Sequence, residues 1–318
     1  MLTDTSFSTN YHFCIFYIRR MLLRPPALKQ GDTVYILSTA RKITIEEIAP
    51  TIQAFESRGL KVVIGKTIGK EYRQFAGTDA ERTADFQTAL DDTSVRAIIC
   101  ARGGYGTVRM MDNLNYDAFM QHPKWVVGFS DITYLHVHIS NTLGIQTLQG
   151  PMPFSFAKST PVAIESLMNE LFGIRNKYVI EPHPLNRLGS AEGILTGGNL
   201  SILYSITGTK SGINTLGKIL FLEDLDEYLY HVDRMMMNLK RSGKLQDLAG
   251  IVIGGFSDMK DNKVAFGCTA YEIIAENVAE YNYPVCYNFP AGHVDDNRAL
   301  VIGGKYKLNV TQTEVTLQ

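Results

Sequence analysis

Cysteine is scarce in this chain, and the few cysteines are not arranged in pairs. Four occur in 318 residues, at positions 14, 100, 268 and 286, with no CxxC motif among them. This spacing argues against a disulfide framework and against a thiolate zinc site. We therefore expect a protein of a reducing compartment.

The sequence also lacks an excess of charge of either sign and any long apolar run. Lys plus Arg number 31 against 32 for Asp plus Glu, so the formal net charge is -1. No basic field is available to attract phosphate backbones, which argues against nucleic acid as the main partner. No apolar run reaches the roughly 20 residues that a membrane span requires. What remains is the composition of an ordinary globular protein.

Residues 1–20 differ in character from the rest of the chain. The segment YHFCIFYIRR has a short apolar stretch, but its positive residues come after that stretch and no small-residue cleavage site follows. A secretory signal has the opposite order. Met21 could be a second start, so we expect residues 1–20 to be an extension outside the fold. A weak membrane-associating or partner-binding segment is the alternative.

From Thr33 onward, short apolar runs alternate with helical patterns. The runs TVYILS, KVVIG, VRAIICA, WVVGF and IQTLQG are continuously apolar, and the helical pattern TDAERTADFQTALDD opens with Thr78 and Glu81 at the spacing of a capping box. Continuous rather than alternating apolar strands predict a parallel sheet with helices on both faces. The length of the chain favours two domains. We place the first, an α/β domain, at residues 21–180.

The second half of the chain predicts a smaller α/β domain. The stretch FGIRNKYVIEPHPLNRLGSAEG has no clear period and mixes Pro, Gly, Asn and Ser, so it is the best candidate for a linker. The final segment KLNVTQTEVTLQ alternates as a partly exposed strand pair does. We place the second domain at residues 190–318.

Ligands of open parallel sheets bind beyond the carboxyl ends of the strands, which directs attention to CARGGYG and VVGFSD. Glycines directly after a strand allow backbone amides to approach an anion, although a tight turn alone would also explain them. Gly128 and Ser130 match the first part of a G-x-S-x-G nucleophile turn, with Ile132 in place of the second glycine. Ser130 could be a nucleophile, or it could simply cap the following helix.

A nucleophilic serine needs a histidine base that a carboxylate orients. Of the seven histidines, His293 lies in the turn PAGHVDD, where its ring can reach a cleft. The carboxylate candidates lie in LFLEDLDEYLYHVDR, where Glu223 ends an apolar strand and Glu227 comes four residues later. Spacing alone does not choose between these two glutamates.

The order of RGGYG, GFSD, LED and GH along the chain, together with PPALKQGDTVYILS near its start, resembles the LD-carboxypeptidase (muramoyltetrapeptide carboxypeptidase) family of serine peptidases. The resemblance extends over nearly the whole chain from Met21. It implies an α/β fold, with an N-terminal parallel-sheet domain similar to class I glutamine amidotransferases and a smaller C-terminal swivelling β/β/α domain. The site is then expected in the cleft between the two domains.

The same resemblance implies the roles of five residues. Ser130 is the expected nucleophile, His293 the general base and Glu223 the carboxylate that orients it. The backbone amides of Gly104 and Asp131 are the expected oxyanion hole. The implied reaction is hydrolysis of the bond to a terminal D-alanine in tetrapeptides derived from peptidoglycan, through an acyl-enzyme.

No metal or organic cofactor is needed for this chemistry, and the resemblance further implies a cytoplasmic homodimer. The free terminal carboxylate of the substrate must also be recognised, and Arg102 and Arg234 are weaker candidates for that contact. The run VDDNRALVIGG departs from the family pattern, so Asp295, Asp296 and Arg298 are expected to reshape the specificity pocket.

Two other functions remain open at this point. One is hydrolysis of a peptidyl-nucleotide antibiotic or a related amide in self-immunity, which an aromatic residue stacking on a base would favour. The only tryptophan, Trp125, lies in a predicted buried strand and therefore counts against that function. The other is a non-catalytic muropeptide-binding protein, which would be expected to have lost a member of the triad.

Overall fold

A computed structural model describes residues 22–318, which fold around a six-stranded and a seven-stranded β-sheet. The strands in chain order are β1 (Thr33–Leu37), β2 (Lys61–Ile64), β3 (Val95–Cys100), β4 (Trp125–Gly128), β5 (Thr147–Gln149), β6 (Tyr178–Ile180), β7 (Gly189–Asn199), β8 (Ile219–Leu225), β9 (Gly250–Ser257), β10 (Val285–Cys286), β11 (Leu300–Ile302), β12 (Lys305–Val310) and β13 (Val315–Leu317). The extension expected at residues 1–20 lies outside the described residues.

Helices cover both sheets. In chain order they are α1 (Ile45–Glu56), α2 (Asp79–Asp91), α3 (Val108–Met111), α4 (Asp117–Gln121), α5 (Thr133–His138), α6 (Pro153–Phe156), α7 (Pro161–Leu171), α8 (Leu200–Ser205), α9 (Leu229–Arg241) and α10 (Ala270–Asn277). Within residues 22–318, no helix is long and apolar enough to cross a membrane.

The first sheet has the strand order β11-β5-β4-β3-β1-β2, and every neighbouring pair is parallel except β11 against β5. The five apolar runs of the first half form its parallel strands, as predicted. The second sheet has the order β10-β9-β8-β7-β12-β13-β6. Its first four strands are parallel, and the remainder, including the hairpin predicted from KLNVTQTEVTLQ, are antiparallel.

Two strands belong to the sheet of the other half of the chain. β11 forms the edge of the first sheet although it comes near the C-terminus, and β6 forms the edge of the second sheet although it precedes residue 181. The candidate linker therefore contains a strand. The domain limits at 21–180 and 190–318 stay a prediction.

The helix α2 begins as its sequence predicts. The Glu81 amide donates to Thr78 Oγ1 at 3.2 Å, and the Thr78 amide donates to Glu81 Oε2 at 2.8 Å. Each side chain thus satisfies an amide that has no partner inside the helix. The capping box is confirmed.

Helix α5 lies between the two sheets. All six of its residues are buried, and the hydroxyls of Tyr134 and Ser205 are 2.8 Å apart. At its first residue, Thr133 Oγ1 accepts a hydrogen bond of 3.1 Å from the Asn199 amide at the end of β7. The helix that comes after Ser130 is therefore held by both halves of the molecule.

Candidate functional site

Ser130 occupies a sharp corner between β4 and a short 3₁₀ turn, Ser130–Ile132. Its φ of 62° lies in the left-handed region, which is uncommon for a residue with a side chain. Gly128 makes the corner possible because a Cβ there would lie 2.7 Å from Ile132 Cγ1. The corner leaves Ser130 half-buried, on a sharp turn after a strand like that of a nucleophile elbow.

The glycine-rich turn after β3 lies beside this corner because β3 and β4 are neighbouring parallel strands. A Cβ on Gly103 would lie 3.3 Å from Ser130 Cβ and 3.4 Å from the Asp131 amide nitrogen. The next residue, Gly104, is exposed and has a φ of 103°. Within residues 22–318, the amides of Gly104 and Asp131 donate to no other group. Both amides are therefore available to an oxyanion.

The Asp131 side chain fastens the glycine-rich turn to the corner. Its Oδ2 atom accepts a hydrogen bond of 2.9 Å from the Thr107 amide. Burial raises the pKa of Asp131, and the hydrogen bond from Thr107 opposes that rise only in part. Asp131 thus has a structural role besides the backbone role expected from the sequence.

Glu223 and His293 form a buried pair. Glu223 Oε2 lies 2.6 Å from His293 Nδ1 and accepts a second hydrogen bond of 3.2 Å from the His293 amide. The Glu223 side chain is 1% exposed and that of His293 is 15% exposed. Burial by itself lowers the pKa of His293, but the carboxylates of Glu223 and Asp224 outweigh it and leave the pKa above its ordinary value. The carboxylate fixes Nδ1 and leaves Nε2 for other chemistry.

Phe129 brings this pair next to the serine corner. Its ring lies edge-on against the His293 ring, with centroids 4.9 Å apart, and it immediately precedes Ser130. No hydrogen bond joins Ser130 to His293 in the described part of the chain. Catalytic hydrogen bonds are often long in ligand-free enzymes and shorten when substrate binds.

A second His–Glu pair lies nearby in more open surroundings. Glu227 Oε2 is 2.6 Å from His231 Nδ1, with side-chain exposures of 24% and 27%. It matches the first pair in distance but not in burial. Between the two glutamates, Asp224 accepts hydrogen bonds from the Asn199 side chain and from the Ser201 amide, both at 2.9 Å.

One buried amide ties the histidine loop to the first sheet, and the sequence reasoning missed it. Asn297 Oδ1 accepts hydrogen bonds of 2.8 Å from Gln149 Nε2 and from the Gly292 amide. Gln149 ends β5 beside β4, and Gly292 precedes His293. The signal for this contact in the sequence is weak: Gln149 is a polar residue at the end of an apolar strand, and Asn297 is a polar residue in the turn after His293.

The two arginines proposed from the sequence lie in different places. Arg102 stacks over the Phe154 ring at 4.1 Å and donates to Lys42 O at 3.2 Å, next to the glycine-rich turn. Arg234 lies on α9, over the Tyr230 ring at 5.1 Å.

In the run that departs from the family pattern, Asp296 pairs with Arg298 at 2.8 Å and accepts from Thr160 Oγ1 at 2.9 Å. These two side chains therefore bind each other, while Asp295 is exposed.

His136, on α5, is unsuited to act as the base. It is buried, and its ring nitrogens contact Thr147 Oγ1 and Gly128 O, each at 2.8 Å. Burial lowers the pKa of His136 to about 4, so the ring is neutral. No cluster of three or more His, Cys, Asp or Glu side chains that could hold a metal ion occurs in residues 22–318.

Comparisons with known proteins show which family and fold this chain is similar to. Family models described as the LD-carboxypeptidase N-terminal and C-terminal domains match residues 34–150 and 192–308. A probable murein peptide carboxypeptidase of Bacillus subtilis is 34% identical over 305 residues, which cover 93% of this chain and 94% of that protein. The crystal structure of muramoyltetrapeptide carboxypeptidase from Oxalobacter formigenes matches with a TM-score of 0.82 at 26% identity, over 90% of this chain and 97% of that one. The microcin C7 self-immunity protein of Escherichia coli is 25% identical over 337 residues, or 93% of this chain and 95% of that protein.

Proposed function

Since this chain belongs to the LD-carboxypeptidase family of serine peptidases, we propose that it releases the terminal D-alanine from tetrapeptides derived from peptidoglycan. The bond cleaved joins an L-centre to that D-residue. The observation that carries the proposal is the buried Glu223–His293 pair, 2.6 Å across, whose imidazole contacts Phe129 beside Ser130. In this proposal Ser130 is the nucleophile, His293 the base and Glu223 the carboxylate that orients it.

The proposed reaction begins at Ser130. His293 Nε2 takes the proton of the Ser130 hydroxyl as the oxygen attacks the scissile carbonyl carbon. Glu223 holds the opposite ring nitrogen and stabilises the imidazolium that forms. The amides of Gly104 and Asp131 bind the oxyanion, and each such donor is worth about 3 kcal/mol in comparable sites.

The second half of the reaction uses the same groups. His293 gives its proton to the nitrogen of the leaving D-alanine, and the acyl group stays on Ser130 as an ester. His293 then deprotonates a water molecule whose oxygen attacks the ester carbonyl carbon. The bond from that carbon to Ser130 Oγ breaks, His293 returns its proton to Ser130 Oγ, and the tripeptide leaves as a carboxylic acid. Side chains and backbone amides carry every step, so the proposal calls for no metal or organic cofactor.

Hydrolysis of a peptidyl-nucleotide or related amide is the second candidate. The feature that favours it is a pair of exposed aromatic rings just before and within α9, Tyr228 and Tyr230, whose centroids are 5.7 Å apart. Such rings can stack on a base. Trp125 offers no such surface because it is fully buried and its Nε1 donates to Pro26 O. The higher identity to the murein peptide relative favours the first candidate.

D-alanine release from a muramyl tetrapeptide, measured with wild-type protein and Ser130→Ala, tests the proposal. Release by the wild type alone is expected. Release by both proteins would remove Ser130 as nucleophile. Binding without release would favour a non-catalytic muropeptide-binding protein, and release from a peptidyl-nucleotide amide instead would favour the second candidate.

We also propose that the protein works in the cytoplasm as a homodimer. The three cysteines in the described residues, Cys100, Cys268 and Cys286, are free thiols, which suits a reducing compartment. Light scattering of the purified protein tests the dimer, and a single-subunit mass would contradict it.

A further inference from the structure

A carboxypeptidase has to hold the free carboxylate of the residue that it removes. That carboxyl carbon is separated from the scissile carbonyl carbon by one nitrogen and one Cα atom. The two carbons are therefore within about 4 Å of each other, whatever the side chain. A cation that binds the carboxylate must lie at the edge of the oxyanion turn itself.

Arg41 lies on that turn. Its backbone amide donates to Gly103 O at 3.4 Å. Its side chain covers Gly104, because a Cβ on Gly104 would lie 2.6 Å from Arg41 Cδ and 2.7 Å from Arg41 Nε. A side chain at position 104 would have to displace the arginine stem, and the φ of 103° independently favours glycine there. The guanidinium is placed beside the amide proposed to bind the oxyanion.

The charge of Arg41 is not neutralised by the protein. The residue is exposed, and within residues 22–318 its guanidinium has no ion-pair partner and donates no hydrogen bond. Many other arginines of the fold are paired, as in Arg24–Glu170, Arg58–Glu165, Arg82–Asp79, Arg109–Asp79 and Arg298–Asp296. An unpaired arginine at the edge of a proposed oxyanion hole is available for an anionic ligand.

Arg102 supplies a second positive charge next to Arg41. It is held over Phe154 and by Lys42 O, with the nearest carboxylate oxygen, of Glu47, 3.8 Å away. Burial lowers the pKa of Arg102, and the nearby charge of Arg41 acts in the same direction despite the opposing effect of Glu47. Two like charges side by side raise each other's energy, so an anion placed between them is stabilised by both.

We propose that Arg41 binds the α-carboxylate of the D-amino acid that leaves, and that the nearby charge of Arg102 adds to the attraction. This inference rests on the proposed function. It assigns exopeptidase specificity to a residue that the sequence reasoning passed over, and it removes Arg234 from that role. Arg234 lies on α9 against Tyr230 and makes no contact with the turn in the described residues.

Two matched substrates test the assignment, one tetrapeptide ending in D-alanine and one ending in D-alaninamide. The wild type is expected to prefer the free acid. In Arg41→Gln, kcat/KM for the acid should fall about 10–100-fold, chiefly through KM, as expected for loss of a hydrogen bond to a charged group. Turnover of the amide should stay the same, so the preference collapses. Arg96→Gln is the control, because Arg96 is exposed and lies at the opposite end of β3. This variant should retain the wild-type preference for the acid over the amide.

The outcomes separate this inference from the proposed function. If the wild type releases D-alanine while Arg41→Gln keeps the wild-type preference for the acid over the amide, that result overturns the role of Arg41 but not the proposed carboxypeptidase activity. A collapse in Arg234→Gln with none in Arg41→Gln also overturns it. No release by the folded wild type overturns both proposals. Should Arg41→Gln fail to fold, Arg41→Lys takes its place: a preference several-fold below wild type supports the role, and an unchanged one overturns it.

Discussion

The ring of Phe129 lies edge-on against the ring of His293, with 4.9 Å between the centroids. Phe129 belongs to the corner after β4, and His293 belongs to a loop of the second half of the chain. The contact therefore joins the serine corner to the Glu223–His293 pair across the two sheets. The Phe129 ring thus packs the serine corner against the loop that carries His293.

Ser130→Ala and Ser130→Gly separate function from backbone strain. Both should abolish D-alanine release. A left-handed φ costs a residue with a Cβ about 1 kcal/mol relative to glycine. The free energy of unfolding of Ser130→Gly should therefore exceed that of Ser130→Ala by about that amount. Urea unfolding of the two variants measures the difference. A glycine variant less stable than the alanine variant would contradict the strain at φ 62°.

Glu223→Gln and Glu227→Gln form a matched pair of substitutions. Each glutamate contacts a histidine at 2.6 Å, but only Glu223 is buried, at 1% exposure. Glu223→Gln should lower kcat by several orders of magnitude, as for other triad carboxylates, and Glu227→Gln should change it less than about tenfold. Steady-state kinetics with the tetrapeptide decide the matter. A larger loss of kcat in Glu227→Gln than in Glu223→Gln would show that Glu227, not Glu223, is the orienting carboxylate.

The elements were predictable because each leaves a local signal. Continuous apolar runs marked the parallel strands, and Thr78 with Glu81 marked the start of α2. Parallel strands place their carboxyl ends at one edge, so the glycine-rich turn and Ser130 could be expected to meet. The family pattern supplied His293 and Glu223, which lie far apart in the sequence.

The tertiary contacts were not predictable because they depend on register and burial. Glu223 and Glu227 look alike in the sequence, and burial distinguishes them only after folding. Arg41 is about sixty residues from the turn that it covers, and nothing in its own segment indicates an anion site. The placement of β11 in the first sheet and β6 in the second likewise depends on which edge is free, not on a local pattern.

The raised pKa of His293 predicts the acid limb of the pH profile. Only the neutral ring can accept the Ser130 proton, so kcat/KM should decrease as the pH drops through an inflection. That inflection should lie above pH 6.5, the ordinary pKa of histidine. In Glu223→Gln the inflection should move to lower pH, since burial alone lowers the pKa. The Asp224 carboxylate, whose own pKa burial raises to about 7, also contributes to the raised pKa of His293. Asp224→Asn should therefore move the inflection in the same direction as Glu223→Gln, but by less. An inflection below pH 6.5 in the wild type would contradict the assignment.

The raised pKa of His293 also determines how the stability of the protein depends on pH. A histidine whose pKa is higher in the folded than in the unfolded state binds its proton more tightly when folded. The stabilisation by the Glu223–His293 ion pair is therefore full below about pH 6.5 and is lost as pH rises through the folded pKa. The difference in unfolding free energy between wild type and His293→Gln should be larger at pH 5.5 than at pH 8.5. An equal difference at both pH values would argue against the raised pKa.

Asn297→Ala tests whether the tie between the histidine loop and the first sheet positions His293. The substitution leaves the Gln149 side-chain amide and the Gly292 backbone amide without their 2.8 Å acceptor, and each buried unsatisfied donor costs about 1–3 kcal/mol. With two such donors, the unfolding free energy should fall by about 2–6 kcal/mol. The kcat should fall with little change in KM, because His293 is displaced while the proposed contact between Arg41 and the substrate carboxylate remains. Asn309→Ala, on β12, is the control for both measurements. A variant that loses stability but keeps the wild-type kcat and pH profile would make Asn297 a structural residue only.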